Sequence, residues 1–114
     1  MKIRNFAHKG LKRLNAEDSA RGVPPESADK LRKMLAFLDD MEDGEELRSL
    51  PSWKVHTLTG NRAGTWSLSV TADVRLSAAG PQRIAPRRQR RLRLTFRIDA
   101  AEREIYDVNL EDYH

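Results

Sequence analysis

The 114-residue sequence predicts an α+β domain in which two N-terminal helices pack on an antiparallel sheet of about four strands. Three observations support this. Apolar residues recur at spacings of three and four up to Met41, as one face of a helix requires. From Trp53 the period shortens to alternation, which suits half-buried strands. Between the second and third alternating runs lies a polar, arginine-rich stretch, residues 73–91, too long for a tight hairpin and therefore expected as an inserted loop. A chain of this length is expected to form one domain over residues 1–114.

The elements follow in order. Phe6 to Asn15 is a short basic helix, with Leu11 and Leu14 toward a core and Lys9, Lys12 and Arg13 outward. Gly22-Val23-Pro24-Pro25 makes a turn whose prolines suit the start of the next helix. In that helix Ala28, Leu31, Leu35 and Leu38 form the apolar stripe, Met34 and Met41 fill the core beside it, and Lys30, Lys33 and Asp40 stay wet. The acidic run Asp39 to Glu46 is a solvated helix end. Lys54 to Thr59 is the first strand, with Lys54, His56 and Leu58 on one face and Val55, Thr57 and Thr59 on the other. Gly60 to Gly64 closes a hairpin, and Thr65 to Ala72 returns with Trp66, Leu68 and Val70 inward. Leu92 to Ile98 sets Leu92, Leu94, Phe96 and Ile98 against Arg93 and Arg97, and Arg103 to Leu110 supplies the last strand. Ala72 to Ser77 repeats the pattern of Arg91 to Thr95, which leaves two candidates for the start of strand three.

Charge is concentrated. From Val74 to Ile98 there are eight arginines and no acid, while the rest of the chain sums to −4, giving a net charge of +4. Such a stripe attracts polyanions, of which nucleic acid is the commonest in a cell, and the arginine fork suits phosphate. No cysteine is present, which excludes disulfides and thiolate metal sites and agrees with a reducing compartment. No run approaches the roughly 20 apolar residues needed to span a bilayer, so a soluble, cytoplasmic protein is expected.

The sequence ends on Glu111-Asp112-Tyr113-His114, where a carboxylate, a phenol and an imidazole make a candidate acid/base set. His8 is read as a surface or capping residue, and Trp53 and Trp66 as core aromatics flanking the first hairpin.

Several segments, in order along the chain, resemble HigB-type toxins, the plasmid-maintenance killer proteins of the RelE superfamily. They are Ile3-Arg4-Asn5-Phe6-Ala7-His8-Lys9-Gly10-Leu11-Lys12, the Gly22 to Pro25 turn, Leu50-Pro51-Ser52-Trp53-Lys54-Val55-His56, Gly60-Asn61-Arg62-Ala63-Gly64-Thr65-Trp66-Ser67, Arg93-Leu94-Thr95-Phe96-Arg97, and Tyr106-Asp107-Val108 through His114. The resemblance spans about residues 1–72 and 91–114.

It implies a small ribonuclease that cuts mRNA on the ribosome, without metal or cofactor, and is restrained by a helix-turn-helix antitoxin of the HigA type. Operator DNA would be reached only through that antitoxin. By position, the resemblance gives His56 and His114 acid/base roles, Asp112 an orienting role, Tyr113 a contact with RNA, and Arg93 or Arg75 the phosphate contact. Lys9, Lys12, Arg13, Arg62, Arg87, Arg88, Arg90, Arg91 and Arg97 are the basic residues expected to hold RNA. Where the family commonly has a lysine in a His-Pro-Leu-Lys-Gly pattern, this chain reads His56-Thr57-Leu58-Thr59-Gly60. The substitution removes one cation and leaves a second reading open, a weakened relative that binds ribosome or antitoxin without efficient cleavage. A DNA-binding protein ranks last, since no helix-turn-helix pattern is present.

Overall fold

The computed structural model describes residues 1–70 and 91–112. Most of the basic insert, with Arg75, Arg87, Arg88 and Arg90, lies outside the described residues, as do the second candidate for the start of strand three and the terminal pair Tyr113 and His114. The described part is an α+β layer structure. Helices α1 (Lys9–Glu17) and α2 (Ala28–Asp40) cover one face of a sheet formed by β1 (Lys2–Ile3), β2 (His56–Thr57), β3 (Thr65–Ser69), β4 (Leu92–Asp99) and β5 (Glu104–Asp112). The spatial order is β1-β5-β4-β3-β2.

Among the described residues the sheet therefore has five strands, one more than the periodicity suggests. The added strand is β1, which pairs parallel to β5 through Lys2 with Glu104 and Ile3 with Ile105, and a further bridge joins Phe6 to Val108. Two residues carry no readable period, so this edge strand leaves no trace in the sequence. Arg4 pins it from outside, bonding Asp99 at 2.6 Å and Glu104 at 2.7 Å.

Both helices bury the stripes expected of them. Leu11 and Leu14 of α1 and Leu31, Met34, Leu35 and Leu38 of α2 join Leu68, Val70, Leu92, Leu94, Phe96, Ile105 and Val108 in a single core. Helix α1 starts later than the sequence suggests because His8 caps it, its Nδ1 accepting the Leu11 amide at 3.2 Å. The acidic side chains from Asp39 to Glu46 are solvated as expected, and the run continues past α2 into an ordered turn. Asp43 and Glu46 form a reciprocal capping box on a 3-10 turn, Gly44–Ser49, that buries Leu47. The two tryptophans are half-buried: Trp53 meets Phe37 edge-on, and Trp66 stacks on Phe96.

The first strand is shorter than expected. The 3-10 turn Pro51–Trp53 ends with Lys54 in the left-handed region (φ 47°), so the chain becomes extended enough to pair only at His56–Thr57. On β5 the apolar residues Ile105 and Val108 are three apart and both fully buried, which a regular strand would not permit. A bulge between Thr95 and Arg97, with Asp107 at φ 55°, absorbs the extra residue.

One close backbone approach fixes the start of α1. A Cβ built on Gly10 would lie 2.1 Å from the Gly22 carbonyl oxygen, so no larger residue fits unless the 20–23 turn moves. Gly10→Ala should therefore lower stability by about 1–3 kcal/mol, measured by urea unfolding, although alanine is the better helix former.

Candidate active site

Register places the candidate side chains. His56 pairs with Ser67, Ser67 with Thr95, and Thr95 with Asn109, so these four form one row across β2, β3, β4 and β5. In the adjoining row Ser69 pairs with Arg93 and Arg93 with Glu111. On the other side Thr65 pairs with Arg97 and Arg97 with Tyr106. All three rows lie on the face of the sheet away from the helices, because Leu68, Leu94 and Phe96 alternate with them and are fully buried in the core. A polar face thus carries His56, Arg93 and Arg97 together. An open cleft of about 420 Å³ runs along it, bounded by Asn61, Arg62, Thr65, Arg97, Asn109 and Glu111.

Each group on this face has a defined setting. The Nδ1 of exposed His56 lies 3.1 Å from the Lys54 carbonyl oxygen. A carbonyl only accepts, so Nδ1 carries the proton in that bond, which leaves Nε2 as the ring nitrogen not engaged by it. Arg97 is held by neutral oxygens, Tyr106 Oη at 3.3 Å and Thr65 Oγ1 at 3.4 Å, which leaves its charge facing the cleft. Arg93 Nη2 donates to Glu111 at 3.3 Å.

Glu111 is the residue that sequence reasoning missed. Its carboxylate also accepts both terminal nitrogens of Arg62, at 3.0 and 2.6 Å, and the Thr95 hydroxyl at 2.8 Å. These partners, Arg62 foremost, hold its pKa down from an ordinary 4.5 to about 2, against the opposing effect of burial. Strand parity would have placed Glu111 beside Arg93 once β4 and β5 were paired. This acid among the arginines expected to hold phosphate was instead read only as part of the terminal tetrapeptide.

Other expected residues lie elsewhere. Asp112 pairs with Leu92 and so belongs to the opposite face from Arg93, where it lines a second cleft of about 400 Å³ with His8, Arg21 and Leu110. Lys9, Lys12 and Arg13 are exposed on α1, in the layer across the sheet from His56. Arg91 is exposed immediately before β4. Tyr113, His114, Arg87, Arg88 and Arg90 lie outside the described residues, as does Arg75, the alternative to Arg93. Arg62 faces the cleft, but its terminal nitrogens are already bonded to Glu111. Among the described residues no group of three His, Cys, Asp or Glu side chains is placed to hold a metal ion.

The model of the HigB-like toxin family, described as the RelE-like toxin HigB of type II toxin-antitoxin systems, matches residues 4–78. The chain belongs to this HigB-like family. It is 33% identical over 113 residues to the Endoribonuclease HigB of Proteus vulgaris, covering 98% of this chain and 99% of that protein. Among solved structures, a chain of the RelBE2 toxin-antitoxin complex of Mycobacterium tuberculosis aligns with a TM-score of 0.43 and 16% identity, over 98% of this chain and 96% of that one. The HigB-like chain described here has no helix among its described residues that is long and apolar enough to cross a membrane.

The Glu111 network makes the HigB-like chain acid-sensitive in a defined window. A carboxylate whose folded pKa is depressed contributes stability that is complete above its unfolded value of 4.5 and is lost as pH falls toward about 2. In acid titration followed by circular dichroism, Glu111→Gln should start less stable at neutral pH and show a shallower loss across that window.

Proposed function

We propose that this HigB-like chain is a ribosome-dependent mRNA endoribonuclease that stops translation in the cytoplasm and is held inactive by a helix-turn-helix antitoxin of the HigA type. The observation that carries this reading is the polar sheet face, which bears His56 and the arginines at 93 and 97 together, with Arg97 lining an open cleft. Such a surface supplies what RNA self-cleavage needs. A base takes the proton of the 2′-hydroxyl as that oxygen attacks the adjacent phosphorus, cations steady the phosphorane, and an acid returns a proton to the departing 5′-oxygen. The products are a 2′,3′-cyclic phosphate and a free 5′-hydroxyl. Every proton is moved by a side chain, so the proposed chemistry needs no metal ion held by this chain.

In this reading His56 Nε2 is one proton carrier and His114 the other, Arg93 faces the reacting phosphate, and Arg97 holds the RNA strand beside it. Tyr113 contacts RNA. Pairing of Asp112 with Leu92 fixes the β5 backbone one residue before Tyr113, so Asp112 acts by steadying the chain end that bears His114. The exposed residues Lys9, Lys12, Arg13 and Arg91, and Arg87, Arg88 and Arg90 of the insert, strengthen attraction to ribosomal RNA without taking part in the chemistry.

A second reading, a binding module with weak cleavage, is favoured by Thr59. It is exposed, makes no side-chain capping bond to the Gly60–Arg62 turn, and carries no charge. If a cation is limiting there, Thr59→Lys should raise the cleavage rate about tenfold, equivalent to roughly 1.4 kcal/mol of barrier.

The deciding experiment is primer extension on ribosome-bound mRNA with purified, natively folded variants. His56→Gln should slow cleavage by about 100-fold or more, and His114→Ala should do the same, with antitoxin binding retained in both. Full activity in both variants would remove the proposed acid/base pair.

A further inference from the structure

Glu111 is an unexpected group in a site for polyanions, since a carboxylate there repels phosphate. Its surroundings give it a different task. Arg62 belongs to the 3-10 turn Gly60–Arg62 that follows β2, the strand carrying His56, whereas Glu111 stands on β5 immediately before Asp112. Strands β3 and β4 lie between these two ends. The Arg62 fork spans them and closes on both Glu111 oxygens, at 3.0 and 2.6 Å. A two-point bond between planar groups fixes orientation as well as distance. From the sheet floor the buried Thr95 hydroxyl holds the same carboxylate at 2.8 Å, and Arg93 reaches it from the side at 3.3 Å.

We propose that Glu111 is a positioning residue which ties the 60–64 hairpin to β5 and thereby holds His56, Arg93 and the end of β5 in working geometry on the polar face of the sheet. This rests on the RNA-cleavage reading and extends it to a residue that does not touch the reacting atoms. Glu111 is neither a proton carrier nor a stand-in for phosphate that RNA must displace. A carboxylate with four donors and a pKa near 2 stays bonded while substrate arrives.

The test uses the full chain with Glu111→Gln, which keeps the side-chain shape and removes the charge, and with Arg62→Gln, which breaks the same bond from its more exposed end. On ribosome-bound mRNA each should lower kcat by about tenfold or more, with KM unchanged or reduced in Glu111→Gln, because misplacement slows chemistry while loss of an anion favours RNA binding. The double variant should be no slower than the worse single one, since both remove one interaction. Native-state amide hydrogen exchange should accelerate at residues 60–64 in both variants and stay unchanged in the centre of β4. A kcat that rises or holds in Glu111→Gln would overturn the proposal, because it would make Glu111 a competitor or a bystander. Unchanged exchange at 60–64 would also overturn it. If the unsubstituted protein cuts no RNA, the cleavage reading falls by itself, and the exchange measurement still decides whether Glu111 holds the hairpin.

Discussion

The two-sidedness of β4 is the constraint on which everything else rests. Leu92, Leu94 and Phe96 must be buried, and the helices satisfy that requirement by covering one face of the sheet. The same alternation then presents Arg93, Thr95 and Arg97 on the side turned away from α1 and α2. The core and the candidate site are thus two consequences of one strand. A one-residue slip in the pairing of β4 would exchange them, placing arginines among leucines.

Neighbouring strands extend this division. Ser67 and Thr95 are almost fully buried yet polar, and they floor the cleft with hydroxyls that charged groups can use. The bulge opposite Phe96 lets β5 keep Ile105 and Val108 in the core while returning Asn109 and Glu111 to the polar face. Cations gathered on one face must be held in place, since like charges left to themselves move apart. Here neutral oxygens orient Arg97, and a single carboxylate draws together Arg62 and Arg93.

What the sequence revealed follows from where periodicity is strong. Helix α2 and strand β4 each repeat their pattern over enough residues to be read directly, and they place most of the core. Strand β1 is too short to show a period, and its parallel pairing joins the two ends of the chain. Strand β2 is shortened by Lys54, whose left-handed backbone no hydropathy pattern reports. In the site, His56 and Arg93 were legible through alternation and family resemblance, and they do share a face. Asp112 was grouped with them through the terminal tetrapeptide and the family resemblance, and its pairing with Leu92 sets it in a row of the opposite face. Glu111 escaped notice because its value depends on Arg62, 49 positions away.

The central claim is that RNA is cut on the polar face of the sheet. The most direct measurement is a cryo-electron microscopy structure of the protein on a ribosome whose mRNA carries a 2′-O-methyl group at the cleavage position, which blocks attack. The account predicts the scissile phosphate lying over the row that joins His56 to Thr95, within hydrogen-bonding reach of Arg93, with the helix layer turned away. A phosphate seated against α1 and α2, or in the cleft shared by His8 and Asp112, would contradict it.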